Sequence, residues 1–378
     1  MYTMDMDIDR NRTRPVRSSV VHATGLLFFL ERTMETTPIY DKPFKTYEEQ
    51  IEWLKNEYQL TVENDSFAKY ALSTFSYYDL INGYKDIFMT DGRFKPDTTL
   101  KYITFFYLYD KEFQNVIFRH SLLIENSFKS KLAYVISKNF GVAQEEYLAN
   151  RHYSFSYKNK IFLHKVKSDI LNHSTVLNKE GERIYPQQPS KHYSENHNHI
   201  PPWVLFKNIT FADAVSLFKL LKTKERQEVA SLMLSYNISA QDKVAFLIPA
   251  LDLIRNYRNV IAHNLKFVTY RSPKYNLPKN IISLIIKDET VFKGRKSFCD
   301  VYACLLGMYI LLDHPFMHAI FLNDIGKVYK FAPMDSEQAN KAFAQIRDDY
   351  FKITNVTNNI EAFINYIYSN IPLQSPFK

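Results

Sequence analysis

The run AFLIPALDLIRNYRNVIAHNL, residues 245–265, is the clearest indication of fold class in this chain. It contains no glycine and a single proline, Pro249, which suits either a first helical turn or a kink. At about 100° per residue, most of its large apolar side chains fall on one arc of a helix and its polar side chains on the other. The run therefore predicts an amphipathic helix whose apolar arc packs in a core.

The polar arc of this helix carries an organised set of side chains. Arg255, Asn259 and His263 are spaced i, i+4, i+8 and form one stripe, which Arg258 flanks. A permanently charged guanidinium can bind a phosphate, and an imidazole can move a proton near neutral pH. We predict Arg258 and His263 as catalytic residues, with Asn259 and Arg255 in support. The alternative is an ordinary solvated face, with a histidine favoured by the helix dipole.

The composition narrows the function classes. The 378 residues, 46% of them hydrophobic, suffice for one large domain or two ordinary ones. Only eight glycines occur, and neither G-x-G-x-x-G nor G-x-x-x-x-G-K-[ST] is present, which argues against a nucleotide-phosphate loop. The net charge of +8 favours contact with a polyanion.

The two cysteines, Cys299 and Cys304, are five residues apart in an apolar run, a spacing that suits neither a disulfide nor a metal knuckle. We therefore expect free thiols, a reducing cytoplasmic location and no metal or other cofactor. The apolar run at residues 20–30 is too short to span a bilayer, so no membrane association is expected.

Four parts are distinguished along the chain. Residues 1–33 are predicted to be a disordered tail or an upstream extension, with translation starting naturally at Met34. Residues 34–149 form an N-terminal helical part, 150–200 a flexible basic insertion that is rich in Lys, Asn, Ser, Pro and His, and 201–378 a helical part that carries the Arg258–His263 helix.

Further helices are predicted near residues 47–58, 65–74, 98–139, 211–221, 224–234, 297–313, 333–350 and 356–369. No repeat and no strand-rich region is apparent. The predicted fold class is all-α.

Other polar groups are interpreted as structural. Glu125 and Lys129 have the i, i+4 spacing of a stabilising ion pair, although Glu125 could instead orient a catalytic group. Arg119 and His120 are adjacent and point about 100° apart, so they form a poorer pair than Arg258 and His263. The insertion holds three histidines without a cysteine, which favours a basic arm touching a nucleic-acid backbone over a metal site. They are His192, His197 and His199.

Several motifs together resemble a known family. The segment IRNYRNVIAHN, residues 254–264, resembles the R-x(4-6)-H signature of HEPN-fold ribonucleases, in the form found in Abi (abortive infection) AbiD/AbiF-like proteins. Four further segments resemble the same proteins: KPFKT at 42–46 with EQI at 49–51, YYDLINGY at 77–84, IENSFKS at 124–130, and PWVL at 202–205 with TF at 210–211. The resemblance spans roughly residues 42–265.

This resemblance implies an all-α HEPN core with an N-terminal helical extension, bacterial origin and a role in phage defence. It implies metal-independent RNA cleavage in which the ribose 2′-OH attacks the adjacent phosphorus, leaving 2′,3′-cyclic phosphate ends. The substrate would be transfer RNA or another RNA with single-stranded loops. Because the superfamily pairs two motifs in one composite site and this chain has one convincing copy, we expect a homodimer. Lys266, Arg271 and Lys274, just beyond His263, are expected to contact the RNA backbone.

Two departures limit the resemblance. Asn264 stands where many relatives have a second histidine, and Leu265 stands where toxins paired with nucleotidyltransferase antitoxins have a tyrosine. Regulation by modification of that tyrosine is therefore not expected. The main alternative function is a non-catalytic HEPN protein that senses RNA or a phage component; a third is a purely structural helical adaptor.

Overall fold

The computed structural model describes residues 42–154, 156–331 and 337–370. The chain divides into two units, Met1–Lys45 and Thr46–Lys378, and every element below belongs to the second. From Thr46 onward, the N-terminal helical part, the insertion and the C-terminal part distinguished in the sequence thus lie within a single unit. The tail predicted at residues 1–33 and the start at Met34 lie outside the described residues.

The fold is all-α, as predicted. Its α-helices are α1 (Tyr47–Asn56), α2 (Asp65–Phe75), α3 (Lys85–Phe88), α4 (Leu100–Phe140), α5 (Gln144–Tyr147), α6 (Tyr157–Ser174), α7 (Ser190–Asn196), α8 (Pro202–Leu205), α9 (Phe211–Leu220), α10 (Thr223–Met233), α11 (Ala240–Ala262), α12 (Lys279–Ile285), α13 (Val301–Leu311), α14 (Pro315–Tyr329), α15 (Glu337–Ile353) and α16 (Thr357–Asn370). A π-helical turn spans Tyr78–Asn82, and 3₁₀ turns span Asn150–His152 and Glu289–Phe292. Two short antiparallel hairpins pair β1 (Met89–Thr90) with β2 (Arg93–Phe94) and β3 (Val176–Leu177) with β4 (Arg183–Ile184).

Helix α4 is the central element. The Thr99 side chain caps its start by accepting the Tyr102 N–H at 3.0 Å, and Gly141 ends it with a φ of 94°. At about 1.5 Å per residue it extends roughly 60 Å. Within the described ranges it packs against nine other α-helices, which are α2, α5, α8, α9, α10, α11, α13, α14 and α15. The predicted helix over 98–139 is confirmed to within two residues at each end.

Helix α11 contains the segment that predicts the fold. It begins at Ala240, five residues before the predicted start, because Ser239 caps it by accepting the Asp242 N–H at 3.0 Å. Pro249 therefore lies inside the helix rather than in its first turn, where it leaves the Ala245 carbonyl without its usual intrahelical donor. The apolar arc is buried, as predicted, against α4, α9, α10 and α13.

The segment from 150 to 200 is more regular than its composition indicates. It contains α6, the β3–β4 hairpin and α7, where the sequence predicts an irregular insertion. The buried side chains of Leu163, Val166 and Ile170 lie at three- and four-residue spacing on α6, which packs on α9. This short apolar stripe is flanked by Lys, Asn and Ser, so the average composition hides it.

Helix α14 was absent from the prediction. His314 caps it by accepting the Phe316 N–H at 3.2 Å, and Pro315 occupies its first turn. Asp324 of this helix accepts hydrogen bonds from Arg119 Nη1 at 2.7 Å and contacts His120 Nε2 at 3.1 Å. His120 is fully buried, and burial lowers its pKa. The Arg119–His120 pair therefore joins α4 to α14.

The structural interpretation of Glu125 is confirmed by an ion pair within α4. Its Oε1 atom lies 2.7 Å from Lys129 Nζ, which also donates to the Ile209 carbonyl at 2.7 Å. The pair thereby links α4 to the loop before α9.

We expect Ile170→Ala to destabilise the protein, because the fully buried Ile170 side chain packs α6 into the core. The loss of free energy of unfolding should be about 2–5 kcal/mol, measured by denaturant titration. Ile161→Ala is the matched control, since Ile161 lies on the same helix with its side chain 59% exposed, and it should change little. Equal midpoints for the two variants would show that α6 is not part of the core.

Candidate functional site

The end of α11 is set by a local backbone motif. His263 is the C-cap, and Asn264 follows with a φ of 52°, in the left-handed region that asparagine tolerates better than most residues. The Asn264 N–H donates to the Ile261 carbonyl at 3.0 Å, and the Leu265 N–H donates to the Val260 carbonyl at 2.9 Å. This Schellman motif stops the helix and leaves His263 exposed at its end.

The Asn264 side chain ties this helix end to two distant segments. Its Oδ1 atom accepts a hydrogen bond from Lys111 Nζ of α4, and its Nδ2 atom donates to Asp79 Oδ2, in the π-helical turn, at 2.8 Å. Neither Lys111 nor Asp79 was singled out from the sequence. The only sequence signal for Asp79 is its place in the segment YYDLINGY, which resembles the family.

Arg258 has an unusual electrostatic environment. Its guanidinium carbon lies 6.0 Å from the ring centroid of Phe118 on α4, and its Nη1 donates to Asn259 Oδ1 at 3.1 Å. Its Nε atom is buried without an acceptor, and no carboxylate pairs with Arg258 in the described part of the chain. The guanidinium thus keeps its charge and donors available for an external anion.

The two predicted catalytic residues lie on one helix but point in different directions. His263 follows Arg258 by five residues, which corresponds to about 140° around the axis and roughly 7.5 Å along it. Among the described residues, no hydrogen bond engages the His263 ring. The backbone N–H of His263 donates to the Asn259 carbonyl at 3.1 Å. Asn259 therefore supports Arg258 with its side chain and the helix end with its backbone.

Arg255 does not lie on the exposed polar face that the helix pattern indicates, so its supporting role in catalysis stays a prediction. It is buried, and its Nη2 lies 3.3 Å from Asp252 Oδ1. Asp252 Oδ2 in turn accepts a hydrogen bond from Lys219 Nζ of α9 at 2.6 Å. This ion cluster packs α11 against α9, because a buried carboxylate must be paired.

The three predicted backbone-contact residues have different surroundings. Lys266 pairs with Asp86 at the end of α11. Arg271 lies 3.8 Å from Asp300 and lines a cavity beside the loop at residues 293–297. Lys274 is exposed, and no ion pair involves it in the structure as described. Their contact with RNA stays a prediction.

A cavity of about 150 Å³ opens where α11 ends. Asn264, Leu265 and Lys266 line it, together with side chains of the π-helical turn and of α4. Tyr78, at its rim, is exposed. Lys111 also lines it, and burial lowers the pKa of this lysine. The cavity offers aromatic, cationic and amide groups next to His263.

Asp110 lies at the buried side of this cavity. Its carboxylate accepts hydrogen bonds from the Tyr84 hydroxyl at 2.7 Å, the Tyr350 hydroxyl at 2.8 Å and Gln114 Nε2 at 2.7 Å. Burial raises its pKa to about 6, against the lowering effect of these donors. This carboxyl group connects the π-turn region, α4 and α15.

The described residues contain no group of three or more His, Cys, Asp or Glu side chains placed to hold a metal ion. Two histidines of the segment 150–200 make local contacts: His192 lies beside Asn196, and His197 packs on Tyr193. Cys299 and Cys304 are both free thiols. No helix within the described ranges is long and apolar enough to cross a membrane.

The fold and the site define an all-α protein in which Arg258, without a carboxylate partner among the described residues, and the exposed His263 lie near one helix end. The sequence profile of the Abi-like protein family matches residues 70–268, more than half of the chain. The chain therefore belongs to the family of Abi-like proteins, and this membership points to abortive infection, a defence against phage. The matched region includes Asp79, Lys111, Arg258 and His263. No curated protein matched the chain, and no solved structure did.

Asp110→Asn should change how stability depends on pH. Since the folded pKa of Asp110 is about 6 and its unfolded value is about 4, the carboxyl group stabilises the fold below about pH 4 and loses that contribution as pH rises through 6. Relative to the variant, the wild type should lose about 2–3 kcal/mol of unfolding free energy across this window. Denaturant unfolding at a series of pH values measures it. A pH-independent difference would mean that Asp110 has an ordinary pKa.

Proposed function

We propose that this protein is a metal-independent endoribonuclease of the HEPN type that acts in abortive infection. The observation that carries the proposal is the state of Arg258, whose buried Nε lacks an acceptor and whose charge lacks a carboxylate within the described ranges. A partly buried, unneutralised guanidinium is costly, and a bound phosphate would compensate it. The exposed His263 on the same helix supplies a group that transfers protons near neutral pH.

The reaction follows from the chemistry of RNA, which carries its own nucleophile in the 2′-OH. The 2′ oxygen forms a bond to phosphorus while the bond from phosphorus to the 5′ oxygen breaks. One imidazole acts as general base and removes the 2′-OH proton, and a second, protonated imidazole acts as general acid and protonates the leaving 5′ oxygen. Arg258, held by Asn259, stabilises the negative charge on the phosphorane oxygens. The products carry a 2′,3′-cyclic phosphate and a 5′-hydroxyl.

We place the complete site between two copies of the chain. The separation of about 140° around α11 makes it difficult for one chain to present Arg258 and His263 to a single phosphate. A second chain supplies a second imidazole, so that base and acid are separate groups. Leu265, two residues after His263, and Leu122, four residues after Phe118 on α4, have exposed side chains that suit a subunit contact.

A non-catalytic sensor that binds RNA or a phage component is the second candidate. The observation that favours it is the His263 ring, for which the described residues provide no hydrogen-bonded partner, whereas a general base is usually oriented by a third group. Both candidates use Arg258 to bind phosphate, and they differ in the need for His263.

Loss of either catalytic side chain should abolish cleavage of RNA. We expect Arg258→Ala and His263→Ala each to lower the cleavage rate of labelled total or transfer RNA at least about a hundredfold in EDTA. His164→Ala is the matched control, because His164 is an exposed histidine on α6, and it should cleave like the wild type. A 2′-deoxy residue at the cut site should block the reaction, and end-group analysis should find cyclic phosphate.

Unimpaired cleavage by His263→Ala, or cleavage at a 2′-deoxy position, would overturn the proposed mechanism. Binding of RNA by the wild type without any cleavage, with weaker binding by Arg258→Ala alone, would support the sensor. Unfolding midpoints of all variants show whether a lost activity reflects a lost fold.

If the site is composite, an inactive chain should lower the cleavage rate of the wild-type chain with which it pairs. When wild type is co-expressed with an excess of the Arg258→Ala/His263→Ala chain, the cleavage rate per wild-type chain should fall in proportion to the wild-type fraction, because most wild-type chains then lack an active partner. The same excess of a His164→Ala chain should leave the rate per total chain unchanged. A constant rate per wild-type chain would show that one chain is sufficient.

A further inference from the structure

We propose a second anion-binding site, which takes a phosphate group, in a basic cavity between the loop at residues 293–297 and the start of α16. The cavity measures about 230 Å³ and is lined by this loop together with Arg271, Asn355 and Asn359. Since a water molecule occupies about 30 Å³, the space suffices for a phosphate group and part of the molecule that carries it. This proposal does not depend on Arg258 and His263.

The charge of the lining is strongly one-sided. Arg271, Lys293, Arg295 and Lys296 contribute four cations, and none of the described acidic residues lines the cavity. The nearest carboxylate, Asp300, contacts Arg295 Nη2 and lies 3.8 Å from Arg271. Asp300 also caps α13 by accepting the Ala303 N–H at 3.1 Å. One carboxylate that is already engaged leaves most of this positive charge uncompensated.

Arg295 is held rigidly and still has a free donor. It is buried, its Nη1 donates to the Asn355 carbonyl at 2.8 Å, and its guanidinium carbon lies 4.5 Å from the Tyr302 ring centroid. Its buried Nε has no acceptor among the residues described. A buried N–H without an acceptor is costly, and an anion in the cavity would supply one.

The loop backbone adds further donors. Gly294 has a φ of 76°, in the left-handed region, which turns the chain between Lys293 and Arg295. No described acceptor receives the backbone N–H groups of Gly294 and Lys296. Asn359 Nδ2 fixes the preceding turn by donating to the Thr290 carbonyl at 3.0 Å. The loop therefore presents amides together with its cationic side chains, a combination that suits phosphate oxygens.

This cavity lies on a different side of α11 from Arg258. The hydroxyl of the neighbouring Tyr257 donates to the Tyr270 carbonyl at 2.9 Å and to the Cys299 carbonyl at 3.2 Å, in the segments that lead to Arg271 and Asp300. Consecutive helix residues point about 100° apart, and Arg258 faces Phe118 of α4. The two anion-binding positions are thus separate.

Inorganic pyrophosphate is the probe for this site. Titration calorimetry on the full chain should show binding by the wild type that weakens as salt concentration rises. Lys293→Gln/Lys296→Gln should weaken it at least about tenfold, because two charged donors are lost from exposed positions that do not hold the fold together. Lys279→Gln/Lys287→Gln removes the same charge from exposed positions outside the cavity and should bind like the wild type.

Competition identifies the source of the phosphate group. The competition uses the Arg258→Ala/His263→Ala variant with either a short RNA or a free 5′-nucleotide bound, and pyrophosphate is then added. Displacement of the RNA alone indicates that the natural ligand is an RNA strand. Displacement of the nucleotide alone indicates a nucleotide effector. Undetectable pyrophosphate binding by the folded wild type, or equal loss of affinity in both lysine double variants, would overturn the proposal. Because this background lacks both side chains proposed for cleavage, failure here is distinguishable from failure of the nuclease mechanism.

Discussion

The burial of α4 on almost every side is the constraint on which the rest of the structure depends. A helix of 41 residues with buried side chains such as Tyr109, Ile117, Leu132 and Ala133 distributed around its axis cannot be stable in water alone. Nine other α-helices of the described chain contact it, drawn from both the N-terminal and the C-terminal parts. Because α4 must be covered, parts of the chain with different compositions pack into a single unit.

The candidate site results from how α11 lies on α4. Arg258 lies over the Phe118 ring, and Asn264 accepts a hydrogen bond from Lys111. The contact thus moves forward along α11 as it moves back along α4, so the two helices run antiparallel here. The packing gives Arg258 an aromatic surface in place of a carboxylate. It also fixes the end of α11 against the π-helical turn through Asp79. The same contact that buries apolar surface therefore positions the proposed chemistry.

Arg255 and Arg258, three residues apart on α11, differ in whether a carboxylate neutralises the guanidinium, and this difference separates a structural arginine from one that can bind an anion. Arg255 meets Asp252, which Lys219 also contacts, and the cluster stabilises the packing of α9 on α11. Arg258 meets no such group within the described residues and keeps its charge for an outside anion. Arg295 is intermediate, since Asp300 contacts one edge of its guanidinium while its buried Nε has no acceptor among the described residues.

The sequence by itself determined the all-α class, the extent of α4, the family, and the position of Arg258 and His263 near the end of one helix. These follow from local properties: apolar periodicity, capping residues and motif spacing act over a few turns. Only the tertiary structure decided that Arg255 is buried, that Lys266 pairs with Asp86, that α6 joins the core, and that a basic cavity forms beside Arg295. Each of these depends on groups brought together from distant parts of the chain, and periodicity carries no information on which charged side chain will find a partner there.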